Sequence, residues 1–179
     1  GKRWTNAGCV FGPKRTVAWR GLDAQYFGLA QRRRRVFVVA SARDGFDPSE
    51  VLFERDGVRR DTPPSRATGE GASSKFNSGF IAFGAQNSAS QGDDVSVDYV
   101  NTLTTTRTHG VCSQATVRKL TPREYERLQG FPDDHTLVRY RGKDAADSLR
   151  YRALGNSMAV PVVRWIGDRI NRQVEGNGD

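Results

Sequence analysis

The stretch that decides the reading is Arg118–Pro132, RKLTPREYERLQGFP, which sets a capped helix start, a dense group of arginines and an aromatic turn side by side. Thr121-Pro122-Arg123-Glu124 has the form of a capping box: the Thr hydroxyl accepts from the backbone N–H three residues on, and the Glu reaches back to the cap's own N–H. Pro122 falls at the first helical position, where its missing donor costs nothing. The pattern predicts a helix over Pro122–Leu128, with Tyr125 and Leu128 facing inward and Arg123 and Arg127 aligned on another face. Gly130 ends it, and Phe131-Pro132 turns the chain. A surface helix with a solvated Arg pair satisfies the same spacing.

Order extends outward on both sides. Thr16–Leu22 and Arg35–Ser41 are rich in β-branched and aromatic residues and read as buried strands, with Asp23–Leu29 a short helical or turn segment between them. After Ala42 the texture shifts to Gly, Ser, Thr, Asp and Pro, with Pro63-Pro64 and Gly69–Ser74 the clearest loop signals. Short strand candidates at Phe80–Phe83, Val95–Val100 and Val111–Val117 make this middle loop-rich, with a small irregular sheet. A last helix is expected over about Met158–Gln173, where Val162, Val163, Ile166 and Ile170 recur at helical spacing. Pro161 is tolerated in its first turn. Glu175–Asp179 is a polar tail, expected to fray.

Composition bounds the class of partner. The 179 residues suit roughly one domain, while 36% hydrophobic residues and a mean hydropathy of −0.64 imply a thin core. A net charge of +8 and a pI near 10.0 favour a polyanionic partner, nucleic acid ahead of an acidic membrane surface. No apolar run approaches the ~18 residues of a membrane span, and the start lacks a signal-peptide pattern. Cys9 and Cys112 are too few for a disulfide framework. The chain reads as cytoplasmic.

Two clusters carry candidate chemistry. Adjacent arginines at 32, 33, 34 and 35 repel one another and call for anions nearby. Strand alternation sends Arg33 and Arg35 one way and Arg32 and Arg34 the other, which suits one pair for a site and one for solvent or DNA. A solvated basic loop is the alternative to phosphate neutralisation. Gly155-Asn156-Ser157 is expected to open the last helix, where unpartnered N–H groups would suit a carboxylate; a plain Asn/Ser cap is the other reading.

Three stretches, in order, resemble one family. Arg118–Pro132 is similar to the ninth conserved motif of the DNA cytosine-5 methyltransferases; Gly21–Ser41, GLDAQYFGLAQRRRRVFVVAS, resembles the seventh-to-eighth motif region; and Tyr151–Ile166, YRALGNSMAVPVVRWI, resembles the tenth. The likeness is to bacterial and phage enzymes of this class. It implies an α/β fold: the end of a Rossmann-like S-adenosylmethionine-dependent methyltransferase domain plus a small, loop-rich, mostly β target recognition domain. Residues 1–43 would supply late strands of the catalytic domain, 44–117 part of the recognition domain, and 118–179 the ninth-motif helix and the returning tenth-motif helix.

The resemblance also implies roles. Arg35 would support an extruded cytosine, and Arg33 would help order the catalytic loop; Gln31, Arg33, Arg123 and Arg127 would lie on the DNA side. Gly155, Asn156 and Ser157 would hold the methionine carboxylate of S-adenosylmethionine. The family's chemistry needs such groups, because cytosine must leave the stack and negative charge builds on its ring as a Cys thiolate attacks carbon-6. A guanidinium near the 2-oxo group stabilises that charge. The chain departs from the family at Leu29-Ala30-Gln31, where Val-Pro-Gln is usual, which removes a rigid turn.

The family's Pro-Cys nucleophile, Glu-Asn-Val segment and Phe-x-Gly-x-Gly cofactor loop do not occur in this sequence. Cys9 and Cys112 do not follow Pro and read as ordinary thiols. Gly69-Glu70-Gly71 lacks a preceding strand, Asp93-Asp94 and Asp133-Asp134 read as solvated pairs, and His109 and His135 lack the partners of a zinc site; no metal is expected. The implied protein is therefore the C-terminal part of a DNA cytosine-5 methyltransferase, inactive alone, whose partners are double-stranded DNA with a flipped cytosine and a missing N-terminal catalytic part. A natural non-catalytic subunit of a split enzyme and a stand-alone basic DNA-binding protein are the competing readings. Sequence recognition would lie in Arg43–Val117, with Arg107, Thr108 and His109 as candidate donors in a Thr-rich loop; a solvated loop is the other reading of that stretch.

Overall fold

In the computed structural model, which describes residues 5–54, 81–84, 95–103, 109–113 and 116–176, the first ordered unit is a strand pair built from the two β-branched runs. Strand β1 spans Ala7–Phe11, β2 spans Thr16–Asp23 and β3 spans Arg34–Ser41. All pair antiparallel in the order β1-β2-β3, with β2 and β3 in register from Thr16↔Ser41 to Asp23↔Arg34. A 3-10 turn, Ala24–Phe27, joins β2 to the segment before β3 and ends at Gly28 with φ +80°. Asp23 fixes this turn, its Oδ1 accepting from the N–H of Gln25 at 3.3 Å and of Arg33 at 2.9 Å.

The sheet has two unlike faces, because successive side chains alternate. Ala18, Leu22, Phe37 and Val39 face a core shared with helix α1 (Pro48–Leu52) and with Val162 and Ile166 of a C-terminal helix. Val10, Trp19, Val36 and Val38 lie on the opposite face by register, and Val10, Val36 and Val38 are 56%, 66% and 62% exposed. The expectation of buried strands is corrected on this point: only one face is covered by the described residues.

The middle segment forms a second sheet, order β5-β4-β6-β7, from β4 (Ile81–Gly84), β5 (Val95–Val97), β6 (His109–Ser113) and β7 (Thr116–Lys119). The strand expected over Val111–Val117 is in fact two strands of a hairpin. The one expected over Val95–Val100 stops at Val97, since Asp98 takes φ +62°. Pro63-Pro64, Gly69–Ser74 and Asp93-Asp94 lie outside the described residues.

Helix α2 runs Pro122–Gln129 with both halves of the capping box formed, and Gly130 ends it at φ +79°. Tyr125 and Leu128 are buried, as their spacing predicts. A tight hairpin of β8 (Arg139–Tyr140) and β9 (Lys143–Asp144) follows, turning on Arg141 and Gly142, both at positive φ. Helix α3, Asp147–Asn156, has no counterpart in the sequence reading; of its residues only Arg150, Leu154 and Gly155 are buried, so it lacks an apolar stripe. The last helix, α4, spans Val160–Glu175, beginning two residues later than expected.

The two ends of the chain meet. α4 lies on the β1-β2-β3 sheet through the shared core. Arg169 locks α4 to the end of α1, its Nε donating to Val51 O and its Nη2 to Phe53 O, each at 2.6 Å, while its guanidinium lies 4.8 Å from the Trp165 ring. A second core of Ala82, Val100, Leu103, Val111, Leu120, Tyr125, Leu128 and Leu154 joins the second sheet to α2 and α3.

Gly130 is the turn most sensitive to substitution. A Cβ there would stand 2.8 Å from Pro161 Cδ, on a backbone already in the left-handed region. Gly130→Ala should therefore lower stability by about 2 kcal/mol, combining the left-handed penalty with a clash, measured by urea unfolding against Gly142→Ala. Gly142 also has positive φ, but nothing lies within contact distance of its Cβ position.

Candidate functional site

The segment leading into β3 is zipped to the end of the middle region. Val100 N donates to Ala30 O and Arg32 N to Val100 O, each at 2.9 Å, and Thr102 Oγ1 donates to Arg32 O at 2.9 Å. Gln31, fully buried, fits between two backbones. With its amide oriented to satisfy both groups, it donates to Leu128 O at 3.3 Å and accepts from Leu103 N at 3.1 Å.

Arg33 follows and is only 4% exposed. Its Nη1 donates to Leu103 O at 3.1 Å, and its Nη2 donates to Gly155 O at 3.0 Å and Ser157 O at 2.6 Å. Burial, then the neighbouring Arg35, pulls its pKa down to about 10, which leaves the guanidinium charged at neutral pH. Gln31 and Arg33, expected on the DNA side, thus point into the protein and bind backbone carbonyls and amides; neither presents its side chain to solvent.

Arg35 does reach the surface, with Nη1 3.0 Å from Arg34 O. Arg32 and Arg34 are also exposed and together line a cleft of about 740 Å³ with Arg20, Tyr26 and Trp165. The expected alternation therefore pairs Arg32 with Arg34, and Arg33 with Arg35. Burial then separates Arg33 from Arg35, because Arg33 precedes the strand.

The placement of Gly155-Asn156-Ser157 is a correction. These residues end α3 instead of opening α4, whose N-cap is Ala159. Ser157 and Ala159 both have extended backbone and separate the two helices. Gly155 is inside α3, and Ser157 directs both its N–H (3.2 Å) and its Oγ (2.8 Å) to Leu154 O. Asn156 is the member of the three with an exposed side chain, and its amide donor suits a carboxylate. The fit to the carboxylate of S-adenosylmethionine therefore rests on Asn156.

On α2, Arg123 and Arg127 lie on the outer face as spaced, but each carries a carboxylate. Arg123 makes a two-pronged pair with Asp134 (3.2 and 2.6 Å), and Arg127 one with Asp133. Asp133 and Asp134 stay partly exposed, as read, and each is in addition engaged by an arginine. Arg118 similarly grips Glu124 at 2.8 and 2.6 Å.

Sequence reasoning missed Glu126, which is fully buried. It accepts from Asp134 N at 2.7 Å, Thr136 N at 2.8 Å, the Thr136 hydroxyl and Arg150 Nη2 at 3.1 Å. This network holds the turn that presents Asp133 and Asp134 to the two arginines. No motif marks it, since its partners lie 8, 10 and 24 residues along the chain, beyond the reach of helical spacing. His109, a candidate base-reading donor, is also corrected: it is 3% exposed in β6, its N–H donating to Tyr125 Oη at 2.9 Å and its Nδ1 3.1 Å from the same oxygen. Burial pushes Tyr125 up to about 12. Arg107 and Thr108 lie outside the described residues.

Comparison with known proteins adds an independent finding. A family model described as C-5 cytosine-specific DNA methylase matches residues 51–172. A protein of Escherichia phage P1 named DNA N-6-adenine-methyltransferase is 33% identical over 96% of this chain and 38% of its own length. Type II methyltransferase M2.BsuMI of Bacillus subtilis is 30% identical over 88% of the chain and 40% of its own length. Type II methyltransferase M.NlaX of Neisseria lactamica is 28% identical over 88% and 53%. The chain thus spans between 38% and 53% of the length of these relatives.

Two carboxylates of α2, the half-buried Glu124 and the buried Glu126, give the site a defined pH dependence. Burial alone would raise Glu124 and Glu126, but hydrogen bonds from Arg118 and Thr121, and from Thr136, Arg150 and Asp134, outweigh it and hold both below the ordinary 4.5. Their stabilisation is fully present above the unfolded-state pKa and is lost as pH falls through the lower folded-state values. The urea midpoint should stay level from neutral pH down to about 5 and fall below that. Glu126→Gln should lower stability at neutral pH by about 3 kcal/mol, leaving Arg150 buried without its counter-charge, and should shrink the acid-dependent part of the curve.

Proposed function

The chain belongs to the C-5 cytosine-specific DNA methylase family, and from that premise we propose that it is the C-terminal part of an enzyme that transfers a methyl group from S-adenosylmethionine to cytosine in double-stranded DNA. The observation that carries the proposal is the family match over 51–172, joined to a geometry in which the arginine segment and the Asn156 turn share one buried guanidinium. In this reading residues 1–43 belong to the catalytic domain, 44–117 to the target recognition domain and 118–179 to the bridge that returns to the first.

The apolar sheet face bearing Val10, Val36 and Val38 supports that division. A side of a sheet this apolar is ordinarily covered, and the N-terminal catalytic part is the proposed cover. The same part would bring the Cys nucleophile and the cofactor loop. S-adenosylmethionine, when bound, supplies the methyl group. Asn156 binds its carboxylate, and Arg35, charged and exposed, stands beside the extruded cytosine and offsets the charge that develops on the ring. Gln31 and Arg33 act from within, setting the backbone on which Arg35 stands. Arg123 and Arg127 approach the DNA backbone by exchanging carboxylate partners for phosphate.

The phage P1 relative's name raises a second reading, in which the methylated base is adenine. The site of methylation separates the two. The isolated chain, incubated with labelled S-adenosylmethionine and unmethylated DNA, should show no transfer; incorporation that disappears in Cys9→Ala or Cys112→Ala would overturn the fragment reading. Joined to its upstream coding sequence, it should yield 5-methylcytosine on nucleoside mass spectrometry, whereas N6-methyladenine would transfer the assignment to the second reading.

In that complete enzyme Arg35→Ala should reduce turnover at least about tenfold with little change in DNA affinity, the mark of an interaction made in the transition state. Arg32→Ala should change turnover little. Equal effects of the two on turnover and affinity would reduce the cluster to a basic patch.

A further inference from the structure

Three carbonyls from two distant segments converge on the Arg33 guanidinium. Nη1 takes Leu103 O at 3.1 Å, and Nη2 takes both Gly155 O at 3.0 Å and Ser157 O at 2.6 Å. The last two belong to the peptide planes on either side of the Asn156-Ser157 pair, so one nitrogen fixes the rotation of both planes. The bonds that Ser157 makes to Leu154 O tie the turn to its own helix. They do not tie it to any other part of the site. Arg33 does, and its backbone is itself held, with N–H on Asp23 Oδ1 at 2.9 Å and C=O on Ala24 N at 3.0 Å.

A planar fork suits this task and an ammonium does not. The guanidinium's donors leave in fixed directions and reach carbonyls on two separate segments at once, whereas a lysine presents its donors from a single compact point. The near-complete burial of the group means that water cannot replace a lost contact at small cost. Arg33 stands two residues before Arg35, so the side chain that fixes the Asn156 turn also sits on the backbone that presents Arg35.

We propose that Arg33 is a positioning residue for the cofactor end of the site: it holds the Asn156 turn at a set distance from Arg35 and from the 100–103 segment, so that the Asn156 amide faces outward to meet a carboxylate. The inference rests on the reading that Asn156 binds the carboxylate of S-adenosylmethionine. It assigns Arg33 an effect on cofactor affinity, where a DNA-contacting arginine would act on DNA affinity and its salt dependence.

The test is a double-mutant cycle in the complete enzyme, this chain joined to its upstream coding sequence. Affinity for S-adenosylmethionine is read by equilibrium dialysis without DNA, and DNA affinity by a salt titration. Asn156→Ala should weaken S-adenosylmethionine about tenfold, Arg33→Lys by a similar factor, and the double variant little more than either alone, because Arg33 works through Asn156. The slope of DNA affinity against salt should not change in Arg33→Lys, since no phosphate contact is lost.

If Asn156→Ala leaves affinity unaltered, the cofactor reading falls. If Asn156→Ala weakens binding but Arg33→Lys does not, or the two effects multiply, the cofactor reading stands and the positioning role is overturned. Should Arg33→Lys fail to fold, the wild-type protein supplies a second measurement. With arginine labelled at its guanidinium nitrogens, the slowly exchanging buried signal should shift on saturation with S-adenosylmethionine and stay still in Asn156→Ala, whose substituted side chain is exposed. A signal in the wild type that ignores saturating S-adenosylmethionine also overturns the proposal.

Discussion

A cation with 4% of its surface exposed must find hydrogen-bond partners inside the protein, and at Arg33 those partners are main-chain carbonyls from opposite ends of the site. Removing a guanidinium from water costs several kcal/mol unless its donors are met. The chain meets that demand at both Nη atoms with Leu103, Gly155 and Ser157, while the buried Nε finds no hydrogen-bond partner among the described residues; the three carbonyls reach Arg33 only when the 100–103 segment and the α3–α4 turn are both in place. The segment before β3, the edge of the second sheet and the junction of the last two helices are therefore set together. Gln31, bonded to Leu128 and Leu103, repeats the constraint two residues earlier in the chain.

What the sequence reveals here is what is local. The capping box of α2 is written in four consecutive residues, and its start, its inward Tyr125 and Leu128 and its Gly130 end all follow from them. The β2 and β3 runs are legible for the same reason. Gly155-Asn156-Ser157 was not, because Asn and Ser favour the start of a helix and here they stand at the end of one. The deciding fact is the existence of α3, whose buried residues are an arginine, a leucine and a glycine and so leave no periodic trace. The candidate site was legible as a set of residues and not as a geometry. Repulsion among adjacent arginines says that anions or carbonyls must be near, but the carbonyls that answer Arg33 lie at sequence separations of 70, 122 and 124.

Charge is handled differently in the two halves of the site. Around α2 each arginine meets a carboxylate: Arg118 with Glu124, Arg123 with Asp134, Arg127 with Asp133, and Arg150 with Glu126. The first three pairs are partly exposed, where an ion pair adds little to stability, so under the proposed function an exchange of aspartate for phosphate at Arg123 or Arg127 would cost the fold little. Arg150 and Glu126 are buried and fixed, and they hold the turn on which Asp133 and Asp134 sit. Structure and exchangeable charge are thus separated on one helix, with the permanent pair beneath and the replaceable pairs above.

The arginine segment follows the opposite plan. Arg32, Arg34 and Arg35 are exposed, and among the described residues none forms an ion pair with a carboxylate, while Arg33 between them is neutralised only by carbonyl dipoles. Three exposed guanidiniums and one buried one thus stand side by side where β3 begins. Such a concentration is unfavourable in the free protein, since the guanidiniums repel, and becomes favourable when a polyanion is present. The fold maintains it by anchoring the one arginine that points inward. A fully solvated cluster would relax by spreading its side chains apart; this one cannot spread at Arg33, and the spacing of its neighbours is fixed by that residue.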